Sequence, residues 1–118
     1  MTMITYEDFK KVEIKIGKIL SVEKIPDTDK LLKLSVDFAE KDEAGVPKPR
    51  QIVSGISMYF PDEQVLVGEK CFFVTNLEPR TIRGFESNGM LFAAGGHDGV
   101  PFSFIRANSE IPEGTLAN

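Results

Sequence analysis

The feature that most constrains this chain is a short-period alternation of apolar and polar residues. Leu32, Leu34, Val36 and Phe38 fall on one side of an extended segment, and Lys33, Ser35 and Asp37 fall on the other. A period of two sends successive side chains to opposite faces of a strand, so the pattern calls for a sheet with one dry and one wet face. Val12-Glu13-Ile14-Lys15-Ile16 alternates in the same way, and apolar character resumes at Ile19, Leu20 and Val22. Residues 50–56 form a third run, 70–76 a heavily apolar fourth, 90–94 a fifth and 102–105 a short last one. Between these runs stand turn formers: Pro26-Asp27-Thr28-Asp29, a charged loop at 40–49 holding Gly45, Pro47 and Pro49, the stretch Gly95-Gly96-His97-Asp98-Gly99, and Pro112-Glu113-Gly114.

Helix signals are confined to two places. Thr5 and Asp8 have the spacing of a capping box ahead of a short turn through Phe9 and Lys10. Pro61, followed by Asp62 and Glu63, has the composition of an early helical turn. Many short strands with frequent Gly and Pro predict an all-β sandwich or small barrel. Gly17 lies inside the long first strand, where glycine marks a bulge or a sharp bend, and a bent first strand that serves both halves of a sheet favours the barrel. The element order fits a five-stranded OB-fold barrel with short helical turns at the N-terminus and between strands three and four. At 118 residues the chain is expected to form one domain over 1–118.

Composition excludes several kinds of chemistry. Cys71 is the single cysteine and His97 the single histidine, so neither an intrachain disulfide nor a Cys/His zinc site can be built within the chain. A reduced compartment, cytoplasmic or nuclear, is the corresponding expectation. Cys71 lies in the strand-like run Lys70-Cys71-Phe72-Phe73-Val74 and reads as a small buried hydrophobe rather than a nucleophile. There is no phosphate-binding GxxxxGK[ST], no GxGxxG, no GxSxG and no HExxH, and no apolar run approaches the ~20 residues of a membrane span. The N-terminus lacks the basic start and apolar stretch of a secretory signal, and a start at Met1 with an end soon after the last strand is read as an independent unit.

The formal net charge is −4, from 14 Lys+Arg and 18 Asp+Glu, which argues against a generic basic nucleic-acid binder. The sum is uneven along the chain. Residues 61–118 hold four cations, Lys70, Arg80, Arg83 and Arg106, against eight acids, whereas residues 1–60 are balanced. Arg80 and Arg83 lie in a segment connecting strands four and five, the kind of place where binding residues collect, and arginine suits planar phosphate recognition. Such arginines serve equally well as solvated loop charges, and Lys30 and Lys33, flanking the second strand, as an ordinary wet face. Most aromatic residues, among them Tyr59 and Phe60, read as core, with a base-stacking surface as the alternative. Met90 reads as core filler, with an exposed apolar contact as its alternative.

Several blocks in this chain resemble the tRNA-binding domain found at the C-terminus of many methionyl-tRNA synthetases, in free-standing tRNA-binding proteins and in endothelial monocyte-activating polypeptide-like domains. They are Asp8-Phe9-Lys10-Lys11-Val12-Glu13-Ile14-Lys15-Ile16-Gly17-Lys18-Ile19, Asp29-Lys30-Leu31-Leu32-Lys33-Leu34, Arg50-Gln51-Ile52-Val53-Ser54-Gly55-Ile56, and most distinctively residues 76–90, from Asn76-Leu77-Glu78-Pro79-Arg80 through Thr81-Ile82-Arg83-Gly84 to Ser87-Asn88-Gly89-Met90. The resemblance implies an OB-fold, a homodimer joined in part by the terminal segments, binding of tRNA by shape and backbone, no catalytic activity of the domain itself and no cofactor. An association with methionyl-tRNA synthetase follows from the same resemblance. It carries the binding surface onto Lys30, Lys33, Arg50, Asn76, Arg80, Arg83, Ser87 and Met90. Lysine and arginine would neutralise phosphates, Asn and Ser would bond sugars or unstacked bases, and Met90 would lie against a base or ribose. Two departures stand out: Asn88 occupies a position where the family usually has Glu, and the 40–49 loop is longer than in many relatives. The related CsaA-like export chaperones, which hold unfolded polypeptide on the same kind of barrel, are the alternative function. A shared tRNA surface requires that Lys30, Lys33, Arg50, Arg80 and Arg83 lie on one face of the barrel, and that is the expectation for the fold.

Overall fold

Strand β1 (Ile14–Lys24) organises the molecule because it pairs with two neighbours at once. In a computed structural model that describes residues 1–117, its first half runs antiparallel to β4 (Lys70–Val74), from Ile14 opposite Val74 to Lys18 opposite Lys70. Its second half pairs with β2 (Leu32–Asp37), from Lys18 opposite Asp37 to Lys24 opposite Leu32. Strand β2 pairs with β3 (Arg50–Ser54), and β4 pairs with the short β7 (Met90–Leu91), giving the order β3-β2-β1-β4-β7. Strands β3 and β7 approach each other at the remaining gap, so the sheet is a nearly closed antiparallel barrel of the expected OB type. Two hairpins complete the described strands: β5 (Arg80–Ile82) with β6 (Phe85–Ser87), and β8 (Ala93–Ala94) with β9 (Ser103–Phe104).

The first strand can serve both halves only if it crosses closely over the core. A Cβ on Gly17 would lie 2.5 Å from Cγ1 of Val36, 2.6 Å from the Phe38 ring and 2.9 Å from the Phe73 ring. Glycine is therefore required by close approach, and it does not interrupt the strand. The bulge falls further on, between Ile19 and Ser21, where the register with β2 slips and Leu20 is left exposed.

The dry faces meet in one core. Ile19, Leu32, Leu34, Val36, Ile52, Leu66, Cys71 and Phe73 are fully buried. Full burial of a large aliphatic or aromatic side chain is worth about 1.5–3 kcal/mol. Leu66 comes from the second of two 3₁₀ turns, Ser57–Tyr59 and Glu63–Leu66, between β3 and β4. Pro61 precedes that second turn instead of opening it, and Asp62 caps it by accepting from the Gln64 N–H. The Gln64 carboxamide then donates to the Val22 carbonyl at 3.0 Å and holds the turn on the barrel. The aromatic side chains are less uniformly buried than the sequence suggested. Phe38, Phe73 and Phe104 are buried, while Phe60 and Phe102 lie at the edge of the core in a stack that includes Tyr59.

Helix α1 (Tyr6–Phe9) starts at the expected capping box, with both reciprocal bonds between Thr5 and Asp8 present. The C-terminal segment covers the edge of β1 that β2 leaves free. Gly114 N–H donates to Ile16 C=O, Ile16 N–H to Thr115 C=O and Ala117 N–H to Ile14 C=O, at 2.7–3.0 Å. Lys70 fastens this segment: its ammonium donates to the carbonyls of Ser109 and Ile111 and pairs with Glu113 at 3.1 Å.

Several elements differ from expectation: the third strand ends at Ser54 and the last is confined to Ser103–Phe104. The fourth strand ends at Val74, two residues early. The run 90–94 is split at Phe92 into β7 and β8, which belong to different sheets. The connecting segment holding Arg80 and Arg83 is a hairpin and not a loop.

Candidate nucleic-acid interface

The β5–β6 hairpin places Arg80 opposite Ser87 and Ile82 opposite Phe85, leaving Arg83-Gly84 as a two-residue turn. Both turn residues have positive φ, +53° and +84°, the signature of a type I′ turn, whose twist matches that of the flanking strands. The hairpin is fastened to β3. The Ser87 hydroxyl accepts from Val53 N–H at 3.0 Å and donates to the Gly89 carbonyl at 3.2 Å. Asn88 N–H donates to the Gln51 carbonyl, and the Gln51 carboxamide donates to the Glu86 carbonyl at 2.9 Å. Phe85 lies under the Lys33 ammonium, 4.8 Å from its ring centre, a cation–π geometry.

This docking brings together residues distant in sequence. Lys30, in the turn before β2, and Arg83, at the hairpin tip, line one surface hollow of about 420 Å³ together with Asp27 and Asp29. Lys33 projects from the wet face of β2 and meets Glu23 of β1 across the strands at 3.2 Å. Arg80 is exposed at the base of the hairpin, and Met90 is 47% exposed on β7 rather than in the core.

The other three residues spend their polar groups on bonds within the fold. Arg50 lies opposite Val36, which is fully buried, and directly opposed residues share a face. Its guanidinium therefore sits at the mouth of the barrel, over the Phe38 ring. There it grips both carboxylate oxygens of Glu40 at 2.7 Å and donates to the Thr75 carbonyl at 2.6 Å. Hydrogen bonding from Arg50 holds the Glu40 carboxyl below its ordinary 4.5, and Glu40 in turn raises Arg50. Asn76 accepts from Glu13 N–H and donates to the Lys11 carbonyl, tying the N-terminal segment to the end of β4. Ser87 is buried in the bonds already described. Of the five cations expected on one face, Lys30, Lys33 and Arg83 gather about β2 and the hairpin tip, Arg80 stands at the other end of that hairpin, and Arg50 belongs to the barrel mouth.

Among the described residues Lys30, Arg80 and Arg83 form no ion pair, and neither do Lys41 and Lys48 of the long loop. The loop lysines do not stand out in the sequence because the acids around them dominate its appearance. Cys71 is fully buried, and burial pushes its thiol up to about 12, so it carries no nucleophilic chemistry. Among the described residues no group of three or more His, Cys, Asp or Glu side chains is placed to hold a metal, and no helix is long and apolar enough to cross a membrane.

Comparisons with known proteins agree with this architecture. Residues 14–116 match the family model described as "Putative tRNA binding domain". The chain is 53% identical over 94 residues to a methionine–tRNA ligase of Methanoregula boonei, covering 79% of this chain and 13% of that protein. It is 38% identical over 117 residues to the methionine–tRNA ligase of Lactococcus lactis, covering 98% of this chain and 16% of the ligase. The chain thus spans under a fifth of the length of these enzymes. Among solved structures, a MetRS-related protein from Pyrococcus horikoshii superposes with a TM-score of 0.86 at 37% identity, covering 99% of both chains. The chaperone CsaA from Bacillus anthracis superposes with a TM-score of 0.79 at 25% identity, covering 99% of this chain and all of that one. By the extent of the family match and the identity to a relative that it covers almost end to end, this chain belongs to the tRNA-binding domain family.

Proposed function

We propose that this protein is a non-catalytic tRNA-binding module of the cytoplasm that recognises tRNA by shape and backbone, acting as a homodimer or as an affinity appendage to methionyl-tRNA synthetase. The observation that carries the reading is the hairpin docking, which sets Arg83 beside Lys30 and stacks Phe85 under Lys33, with Arg80 on the same hairpin and in no ion pair among the described residues. Within the surface expected from the sequence, Lys30, Lys33, Arg80, Arg83 and Met90 supply contacts. Arg50, Asn76 and Ser87 position the strands that carry those contacts.

Titration with unfractionated tRNA at about 50 and about 200 mM salt tests this. Four phosphate contacts lower affinity about a hundredfold over that range, because each displaced counterion adds to the salt slope. Arg80→Ala is expected to weaken binding several-fold with an unchanged melting temperature, since its side chain is exposed and makes no hydrogen bond or ion pair among the described residues. An absence of binding at both salts overturns the reading.

The homodimer is supported by an apolar groove of about 320 Å³ between the termini, lined by Tyr6, Phe9, Val12 and Leu116, all exposed. Exposed apolar surface of this kind, continuous across both termini, suits a second copy of the same chain. Light scattering of the protein is expected to give twice the mass of the chain, and Phe9→Glu is expected to return the monomer. The second functional reading, polypeptide holding, is favoured by the likeness to CsaA. It predicts suppression of aggregation of a denatured client with no affinity for tRNA.

A further inference from the structure

A groove of about 480 Å³ lies between the 40–49 loop and the β5–β6 hairpin, apart from Lys30 and Arg83. We propose that this groove seats one unpaired nucleotide of a bound RNA, its phosphate on Lys41 and Lys48 and its base edge on the Asn88 carboxamide. The proposal rests on the tRNA reading above and extends it to a second anchoring point.

Four observations carry it. The volume lies within the ~300–1,000 Å³ of small-ligand sites, enough for a single nucleotide. Lys41 and Lys48 both line the groove and have no carboxylate partner among the described residues. The loop that presents them is held in one shape: Asp42 accepts from the N–H groups of Ala44 and Val46, and Lys48 N–H donates to the Glu40 carbonyl. The charge of Glu40, which also lines the groove, is already matched by Arg50, leaving Glu86 as the one acid on the walls without a partner among the described residues.

Asn88 supplies the contact to the base. Its main-chain N–H is spent on Gln51, which fixes the residue against β3, while its side chain makes no bond within the described protein. A carboxamide offers a donor and an acceptor side by side, which is what a base edge requires. Glutamate at this position would add a second unmatched acid beside the phosphate. The fold brings this neutral residue and the lysine-bearing loop to one groove.

The test combines the double variant Lys41→Glu/Lys48→Glu, the single variant Asn88→Glu, and titration of the unaltered protein with cytidine monophosphate followed by amide NMR. In the unaltered protein the nucleotide is expected to shift the signals of Lys41, Lys48, Gln51 and Asn88. Both variants are expected to abolish those shifts. The double variant is expected to bind tRNA about tenfold more weakly and with a salt slope lower by about two, one for each lysine that no longer neutralises a phosphate. Unaltered amide spectra away from the loop establish that the variants fold. Wild-type affinity and salt slope in the double variant overturn the groove and leave the tRNA reading intact. Failure of the unaltered protein to bind tRNA overturns both.

Discussion

Arg83 combines an unfavourable backbone with an exposed charge. It occupies left-handed φ at +53°, where a side chain with a Cβ costs roughly 1–2 kcal/mol relative to ordinary conformations. Glycine takes that conformation freely but loses more entropy on folding, so Arg83→Gly is expected to stabilise the protein by about 0.5 kcal/mol in urea denaturation. The same variant is expected to weaken tRNA binding several-fold, a separation of stability from binding that a purely structural arginine would not show. Arg50 is the reverse case. Removing its side chain leaves the half-buried Glu40 carboxylate and the Thr75 carbonyl without their donors, and Arg50→Ala is expected to cost about 2 kcal/mol of stability. Both arginines look alike in the sequence. Burial separates them, and burial is decided by whether the residue opposite across the strand faces the core.

At the scale of elements, β1 shows what close approach demands. Gly17→Ala sets a methyl against Val36, Phe38 and Phe73 at distances no side chain tolerates, and overpacking of this kind costs about 1–3 kcal/mol. A fall in the urea midpoint with the slope unchanged is the expected result. Strand β2 was legible because it alternates strictly, and β1 because it is long and alternates over its first half; both end in recognisable turns. The β5–β6 hairpin was not, for two reasons. Its strands are three residues each, too short to display a period, and its turn is Arg-Gly rather than the usual Asn-Gly. The run 90–94 misled in the other direction: its apolar composition is continuous, but the chain changes sheets at Phe92, which hydrogen bonds to the Phe72 carbonyl of β4 before the next pairing begins.

At the scale of the whole molecule, three carboxylates close the barrel's loose ends. Glu13 receives the Thr75 hydroxyl and joins the N-terminal segment to β4, Glu40 receives Arg50 at the barrel mouth, and Glu113 receives Lys70 and holds the C-terminal segment. All three are held below their ordinary 4.5, first of all by these hydrogen bonds. A carboxyl with a lowered folded pKa leaves the native state binding fewer protons than the unfolded one. Its stabilisation is present above about 4.5 and is lost as pH falls through the folded value. Melting temperatures measured from about pH 6 to about pH 3 are expected to fall below about pH 4.5, and Glu40→Gln is expected to flatten part of that slope. The formal charge of −4 is informative at this scale only as a sum. Binding responds to the local field, and among the described residues half of the cations, Lys33 of the proposed surface included, are paired with acids.

The sequence by itself determined the class of fold and the family, because strand period, turn chemistry and the blocks at 29–34, 50–56 and 76–90 are local properties that need no knowledge of what lies opposite. It also determined that Cys71 is inert, since an apolar strand around a lone cysteine implies burial. Only the tertiary structure decided which members of the expected binding surface keep their polar groups free and which spend them on the fold. Arg50, Asn76 and Ser87 find their partners 25, 63 and 34 residues away along the chain, and no local pattern reports a hydrogen bond at that separation. Tertiary structure alone also brought the lysines of the 40–49 loop to Asn88, because that juxtaposition depends on a hairpin docking onto β3.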